Sequence, residues 1–326
     1  MRATFLLLAF CCAALAEDQL PDAYWQSPLV REGEYVLWHD PGAVETLDFR
    51  YGIGGAELAP QPPFRFVDED ATGTTPKIKV KDANGHSWVV KFGEEASPDT
   101  FCTRLAWAVG YYVEPTYYVE DGVIEGAQRL TRARKNVDAN GRFQAARFQL
   151  RSSEPKFLKY VNWSWTDNPF QGTPELSGLK ILLMLLSDWD NKDARDAEKR
   201  GTNTGIYQHG DLLYYFIDDW GGAMGRWGKY FTRSKWRADG FLEQSEDFVS
   251  LKGGDLHWGY VGQHSSLLKE GVKFTDIRWL MQRLGKVTDD QLRAGLASSG
   301  ASPEEAEKYM KALRMRIGAL QKVVAE

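Results

Sequence analysis

Two aspartates stand on either side of a short hairpin in the middle of this chain, an arrangement suited to phosphate chemistry. The first lies in Asp188-Trp-Asp190-Asn-Lys192-Asp193, directly after the apolar run Leu176–Leu186. The second lies in Asp218-Asp219-Trp220-Gly221-Gly222, directly after Leu212–Ile217. One carboxylate so placed orients an attacking hydroxyl, and the other, in an Asp-aromatic-Gly turn, holds a magnesium ion against nucleotide phosphates. Asp190 with Lys192 fits the first role. Asp219 fits the second, with Asp218 as the neighbouring alternative. A lone Asp-x-Lys after a helix is more commonly a solvated loop; here the succession of helix, acidic loop, hairpin and second Asp turn favours chemistry. A calcium loop is excluded, because its fifth and sixth positions would be Lys192 and Asp193, where the sixth needs glycine for the sharp turn.

A cation for those phosphates is available at Lys91. The strand Ser87–Phe92 puts Trp88, Val90 and Phe92 on one face and Val89 and Lys91 on the other. On its own, a strand lysine is a solvent-face residue. Its place on the last strand before the first helix makes a phosphate-binding role an even match. Its carboxylate partner is Asp99, in the first turn of that helix, with Glu94 and Glu95 as competitors. Gly73-Thr-Thr-Pro-Lys77 is a candidate phosphate-covering loop, since glycine lets backbone amides approach an anion.

The elements that must position these groups follow from periodicity and turn chemistry. Glu17–Pro63 reads as an irregular N-terminal arm. Strands are expected at Phe64–Val67, Lys77–Lys81 and Ser87–Phe92, the last two joined at Asp82-Ala-Asn84-Gly85. A helix capped by Ser97, with Pro98 at its start, is expected to run to about Tyr112. Tyr117–Gln128 is further strand, and Leu130–Asn162 carries strands and the link to the second half. The run Leu176–Leu186 is apolar on nearly every face, so it is a buried helix. Thr204–Gln208 and Leu212–Ile217 are a hairpin across His209-Gly-Asp211. Phe231–Val272 is irregular; helices follow at Thr275–Leu284, Asp289–Ser298 and Pro303–Val324, the last capped by Ser302. No repeat or low-complexity tract is present.

Composition narrows the function classes. The 326 residues carry a formal charge of −5 with both signs interspersed, against a nucleic-acid binder. The start Met1-Arg-Ala-Thr, the apolar run Phe5–Leu15 and the small residues Ala14-Leu-Ala16 form a cleavable secretory signal, so the mature chain is expected to be secreted or periplasmic, with no transmembrane segment. Cys11 and Cys12 leave with the signal, so Cys102 remains alone and no intramolecular disulfide is expected. The 12 tryptophans are spread along the chain and read first as packing, second as sugar-stacking platforms. The five histidines show no metal-ligand spacing, and no nucleophile elbow is present. Asn162-Trp-Ser164 matches an N-glycosylation acceptor.

Lys91, Asp190-x-Lys192 and Asp219-Trp-Gly together resemble the atypical branches of the protein-kinase-like superfamily, including HipA-type, phosphoinositide and secretory-pathway kinases. The resemblance is one of motif order over about residues 64–225. It implies an α+β, bilobal fold: a β-rich N-lobe with one helix over 64–160 and a helical C-lobe over 161–326, following the signal (1–16) and the arm (17–63). It also implies ATP with Mg²⁺ or Mn²⁺ in the cleft, catalytic Asp190 and Lys192, metal-binding Asp219, and nucleotide contacts from Lys91, Asp99, Lys77 and Gly73. The usual metal-binding Asn, five residues after the catalytic Asp, is Arg195 here; Asp196 is the candidate replacement, with Asn203 as another. The acceptor (protein, lipid, sugar or small molecule) is open. Two other readings stand beside this one: a nucleotide-binding pseudokinase, and a carbohydrate-active protein using Asp190 and Asp219 as acid and base.

Overall fold

The computed structural model describes residues 29–32, 34–70, 75–152, 155–158, 163–190, 203–229, 231–262 and 265–325. The signal segment, Gly73, Lys192, Arg195, Asp196 and Asn162 lie outside these residues.

Alternation along the first strands closes a barrel. β3 (Phe64–Asp70), β4 (Lys77–Lys81), β5 (Ser87–Phe92), β6 (Thr116–Glu125) and β7 (Arg142–Leu150) are ordered β3-β4-β5-β7-β6, and β3 pairs parallel with β6 to shut it. The inward face of each strand supplies its core: Phe64, Ile78, Val80, Trp88, Val90, Phe92, Tyr117, Phe143 and Phe148 are all buried. Closure removes the edge strands that a small sheet would expose.

Helix α1 (Ala96–Ala108) connects β5 to β6. It differs from the expected helix at both ends. Glu95, not Ser97, is its N-cap, and Glu95 makes no side-chain capping bond; its carboxylate is taken by side chains of the site. The helix stops short of Tyr112 because Gly110 turns left-handed (φ +98°) and Tyr111 N donates back to Ala106 O at 3.0 Å, a glycine-terminated helix end.

The second lobe has its own core. α2 (Pro174–Leu185) starts at Thr173, whose hydroxyl accepts from Leu176 N, and it is buried along its length, as an all-round apolar helix must be. It packs with α5 (Phe274–Leu284) and α7 (Pro303–Ala325), and α6 (Asp289–Ala297) lies against α7. β9 (Thr204–His209) and β10 (Leu212–Ile217) form the expected hairpin in full register. The stretch 231–272 is more ordered than its glycines foretold: it holds α3 (Ala238–Glu243), the hairpin of β11 (Val249–Lys252) with β12 (Asp255–Trp258), and α4 (Ser265–Lys269).

The arm expected to be irregular is partly strand. β1 (Leu29–Glu32) pairs with β2 (Tyr35–His39), and β2 runs parallel to β10 in a sheet ordered β1-β2-β10-β9-β8, where β8 is Lys156–Phe157. The Trp38 indole N–H donates to Val109 O at 2.7 Å, so the arm also ties down the end of α1. Its partner strand is some 180 residues distant in sequence, which local periodicity does not register.

The chain is thus an α+β fold of two lobes, a barrel and a mostly helical body. One apolar cluster fills the barrel and extends to Tyr207, Tyr214 and Phe216; the other fills the helical body and takes in Phe101 and Leu105 of α1. Trp38, Trp88, Trp163, Trp165, Trp220, Trp227, Trp236 and Trp258 are buried, which settles those rings as packing. Cys102 is buried and unbridged. Among the described residues no helix is long and apolar enough to cross a membrane.

Candidate active site

β5 delivers Lys91 on the face turned away from the barrel core. Its cross-strand neighbours are Lys77 on β4 and Arg147 on β7. Residues opposite one another in an antiparallel sheet share a face, so three cations lie in one row, an arrangement that disfavours the sheet unless anions answer it. Those anions come from the start of α1 and from the turn after β10. Lys91 Nζ lies 2.9 Å from Asp219 Oδ2, 2.8 Å from Glu95 Oε2 and 3.3 Å from Asp99 Oδ2. Asp99 also takes Arg147 NH1 at 3.0 Å, and its other oxygen accepts from Trp220 N at 2.7 Å. Lys77 stays outside the cluster and pairs with Asp70 at 3.7 Å.

The acid that α1 offers Lys91 is therefore double: both Asp99 and the competitor Glu95 are used. Glu95 is the more shared of the two, accepting also from Thr75 Oγ1 at 2.8 Å and Lys235 Nζ at 2.6 Å. Burial works against charge throughout this cluster. For Lys91 the attraction of Asp219 and Asp99 overcomes that burial and raises its pKa. For Asp99 burial wins over Lys91 and Arg147, and its carboxyl titrates above the usual range. For Glu95 burial loses to Lys91 and Lys235, and its carboxyl titrates below it.

Asp190 reaches the same place from the other lobe. α2 ends at Leu185, and the buried Asp188 folds back so that its Oδ1 accepts from Asp190 N at 3.1 Å. Asn203 donates its amide to Asp190 O. Between Asp219 and Asp190 runs the Gly221-Gly222 turn. A Cβ on Gly221 would lie 2.9 Å from Asp219 Oδ1 and from Glu95 Cβ; a Cβ on Gly222 would lie 2.8 Å from Asp190 Cβ. The two glycines thus act as a spacer of minimal thickness, and side chains there would push the two acidic loops apart.

Behind the cluster, a second buried network joins the lobes. Glu114, after α1, accepts from Gln149 and Arg151 at the end of β7 and from Tyr207 on β9. Arg147 NH2 donates to Gln149 Oε1 at 2.8 Å, and Arg151 NH2 lies 3.7 Å from Asp218 Oδ1. Burial, opposed by Arg151, pushes the Glu114 carboxyl up to about 7. A polar path therefore runs from Asp99 through Arg147, Gln149, Glu114 and Arg151 to Asp218, the residue beside Asp219.

The segment after the glycine turn closes the front. Trp236 N donates to Ala223 O at 3.0 Å and Arg237 N to Met224 O at 2.9 Å, which brings Trp236 and Arg237 back beside the glycine turn. Trp189 Nε1 donates to Ser234 O at 2.9 Å, with Arg233 stacked on its ring. Lys235 pairs with Glu95, and Arg237 with Glu94 at 2.7 Å, so this segment bridges to the start of α1.

Lys91, Asp99 and Asp219 thus converge, Asp190 stands across the glycine turn, and Lys77 stands apart. Arg147, Glu114, Arg151 and Lys235 belong to no motif in the sequence, yet they join the site. Arg147 and Gln149 alternate with apolar Ala146 and Phe148, a signal that marks a polar outer face without saying what covers it.

No protein-family model matches the chain, and no curated protein matches it in sequence. Among solved structures it is similar to the Helicobacter pylori proinflammatory kinase CtkA, at 10% identity over 81% of this chain and 97% of that one, with a TM-score of 0.48. It is also similar to the Golgi casein kinase, at 13% identity over 82% of this chain and 72% of that one, with a TM-score of 0.42. The same kinase with Mn and ADP bound gives 12% identity, 82% and 73% coverage, and 0.42. At such scores the likeness is one of general shape, and the side chains must carry any functional reading.

Proposed function

We propose that this protein is a kinase-like phosphotransferase, exported by its N-terminal signal, that moves a phosphoryl group from ATP to an acceptor hydroxyl. The observation that carries the reading is the meeting of Lys91 with Asp219 at the lobe junction, with Asp190 one glycine turn away. The donor set fits a metal–nucleotide complex. Asp219 is a partly exposed carboxylate on a turn that continues through Trp220 into Gly221-Gly222, and Lys91 is a cation with a raised pKa that stays charged. Bound Mg²⁺–ATP or Mn²⁺–ATP would supply the electrophilic phosphorus and neutralise developing negative charge.

The chain's own residues do the rest. Asp219 would hold the metal, and Lys91, kept in place by Glu95 and Asp99, would offer its ammonium to phosphate. Asp190, half-buried, orients the acceptor hydroxyl and receives its proton. Lys192 is the neighbouring cation proposed to assist at the acceptor, with Asp196 as a second metal ligand and Gly73 as part of a phosphate-covering loop.

One observation favours a second reading, nucleotide binding without turnover. Both Asp219 oxygens face Lys91, at 2.9 and 3.0 Å, so metal must compete with an ammonium for that carboxylate. The carbohydrate reading has less behind it, since the described tryptophans mostly build the core. A thermal-shift titration with ATP and Mg²⁺ or Mn²⁺, set beside oligosaccharides and followed by an assay of ATP consumption, separates all three. Metal-dependent stabilisation with consumption supports transfer; stabilisation without consumption supports the binding protein; a response to oligosaccharides alone overturns both.

A further inference from the structure

The last four carbonyls of an α-helix have no partner within it. At the end of α2 all four are answered. Asp188 N donates to Leu183 O at 2.9 Å and Ser187 N to Met184 O at 3.1 Å, the paired bonds of a Schellman turn. Met224 N donates to Leu186 O at 2.8 Å. Leu185 O is reached from the far side of the lobe: Arg316 NH1, on α7, donates to it at 2.6 Å.

Arg316 does more than cap. The same nitrogen donates to Ser187 Oγ at 2.7 Å. Ser187 occupies the left-handed position of the turn (φ +56°), where glycine is the usual residue. Its hydroxyl is what glycine would lack, and that hydroxyl is held by Arg316. The rest of the guanidinium is equally committed. Nε donates to Ser245 Oγ at 2.9 Å and NH2 to Phe241 O at 2.8 Å, and Cζ lies 3.7 Å from the centre of the Phe241 ring and 4.7 Å from that of Trp227.

This guanidinium is 0% exposed and no carboxylate pairs with it among the described residues. As packing alone, a buried charge without a counter-ion is a poor choice, because an apolar side chain of like volume does as well or better. A cation at a helix C-terminus is favourable, and the planar fork reaches two acceptors there while two more bonds fix its other edge.

We infer that Arg316 is a positioning residue for Asp190: through Leu185 O and Ser187 Oγ it fixes the turn that aims the Asp188–Asp190 loop at the Gly221-Gly222 turn. The inference rests on the phosphotransfer reading for its effect on turnover, but not for its effect on the loop.

The test uses the full chain with Arg316→Lys, which keeps a cation at the helix end but loses the fork, and Ser187→Ala, which removes only the hydroxyl. Two readouts are taken well below the unfolding temperature. Amide exchange across 187–190 should quicken by about tenfold or more in both variants, with the barrel and α7 unchanged, since the loop opens locally. In a phosphotransfer assay kcat should fall by about 10- to 100-fold for Arg316→Lys and less for Ser187→Ala, with the KM for ATP held within about threefold. Unchanged loop exchange, or exchange quickened equally throughout the lobe, overturns the inference. Quickened loop exchange in a protein that transfers no phosphate at all leaves the positioning role standing and overturns the proposed activity. If Arg316→Lys fails to fold, Ser187→Ala decides the matter by the same two readouts.

Discussion

Lys91 Nζ stands 2.9 Å from Oδ2 and 3.0 Å from Oδ1 of Asp219, a contact between residues 128 apart that pins the barrel to the second lobe. The ammonium lies among three carboxylates, and the carboxylate it faces most squarely is the one with the chemistry to hold a metal.

Removing Lys91 should therefore damage both stability and binding. Lys91→Met leaves Asp99 buried with Arg147 as its remaining cation, and breaking a buried charge cluster costs about 3–5 kcal/mol. Urea unfolding measures that loss. A variant as stable as the wild type would show that the cluster is not the bridge between the lobes.

Asp219→Ala and Asp190→Ala should part company. Lys91 keeps Glu95 and Asp99 when Asp219 is removed, so the fold survives while metal-dependent nucleotide binding is lost. Asp190 acts on the acceptor, so Asp190→Ala should leave nucleotide binding intact and lower turnover by about 10²–10⁴-fold, the range of general acid–base catalysis. Titration calorimetry with ATP and Mg²⁺, beside initial rates, reads both; equal loss of binding in the two variants would show the roles to be misassigned.

The glycine turn gives a finer division. Gly221→Ala places a methyl against Asp219 Oδ1 and Glu95 Cβ, and Gly222→Ala places one against Asp190 Cβ. The first should weaken nucleotide affinity, and the second should lower turnover with affinity largely kept. The reverse pattern would mean that the two sides of the turn have been assigned the wrong way round.

Glu114 predicts a pH signature. Its carboxyl, 4.5 when unperturbed, is pushed up to about 7 in the fold by burial, against the pull of Arg151. The folded state thus holds this proton more tightly. Its contribution to stability is fully present below about 4.5 and is lost as pH rises through about 7. Glu114→Gln removes the titration, so across that window the wild type should lose on the order of 3 kcal/mol relative to the variant. Unfolding free energies of the two proteins that run parallel with pH would refute the assignment.

Much of this architecture was legible in the residues themselves. Alternation at 77–81 and 87–92, the all-round apolar run of α2, the hairpin after it and the three late helices are local patterns, and local patterns survive into the fold. So does the order that brings Lys91, Asp190 and Asp219 to the junction. Tertiary structure alone decided the partners. That Arg147 lies opposite Lys91 depends on strand order β5-β7-β6, which follows from barrel closure and not from any adjacent residues. That Glu95 serves Lys91, Lys235 and Thr75 at once, leaving α1 without a side-chain cap, depends on three elements meeting at one carboxylate. The pairing of the N-terminal arm with β10 and the grip of Arg316 on Ser187 likewise join residues far apart in the chain. Periodicity records which face of an element is apolar, because burial selects it residue by residue; it carries no record of which distant element covers that face.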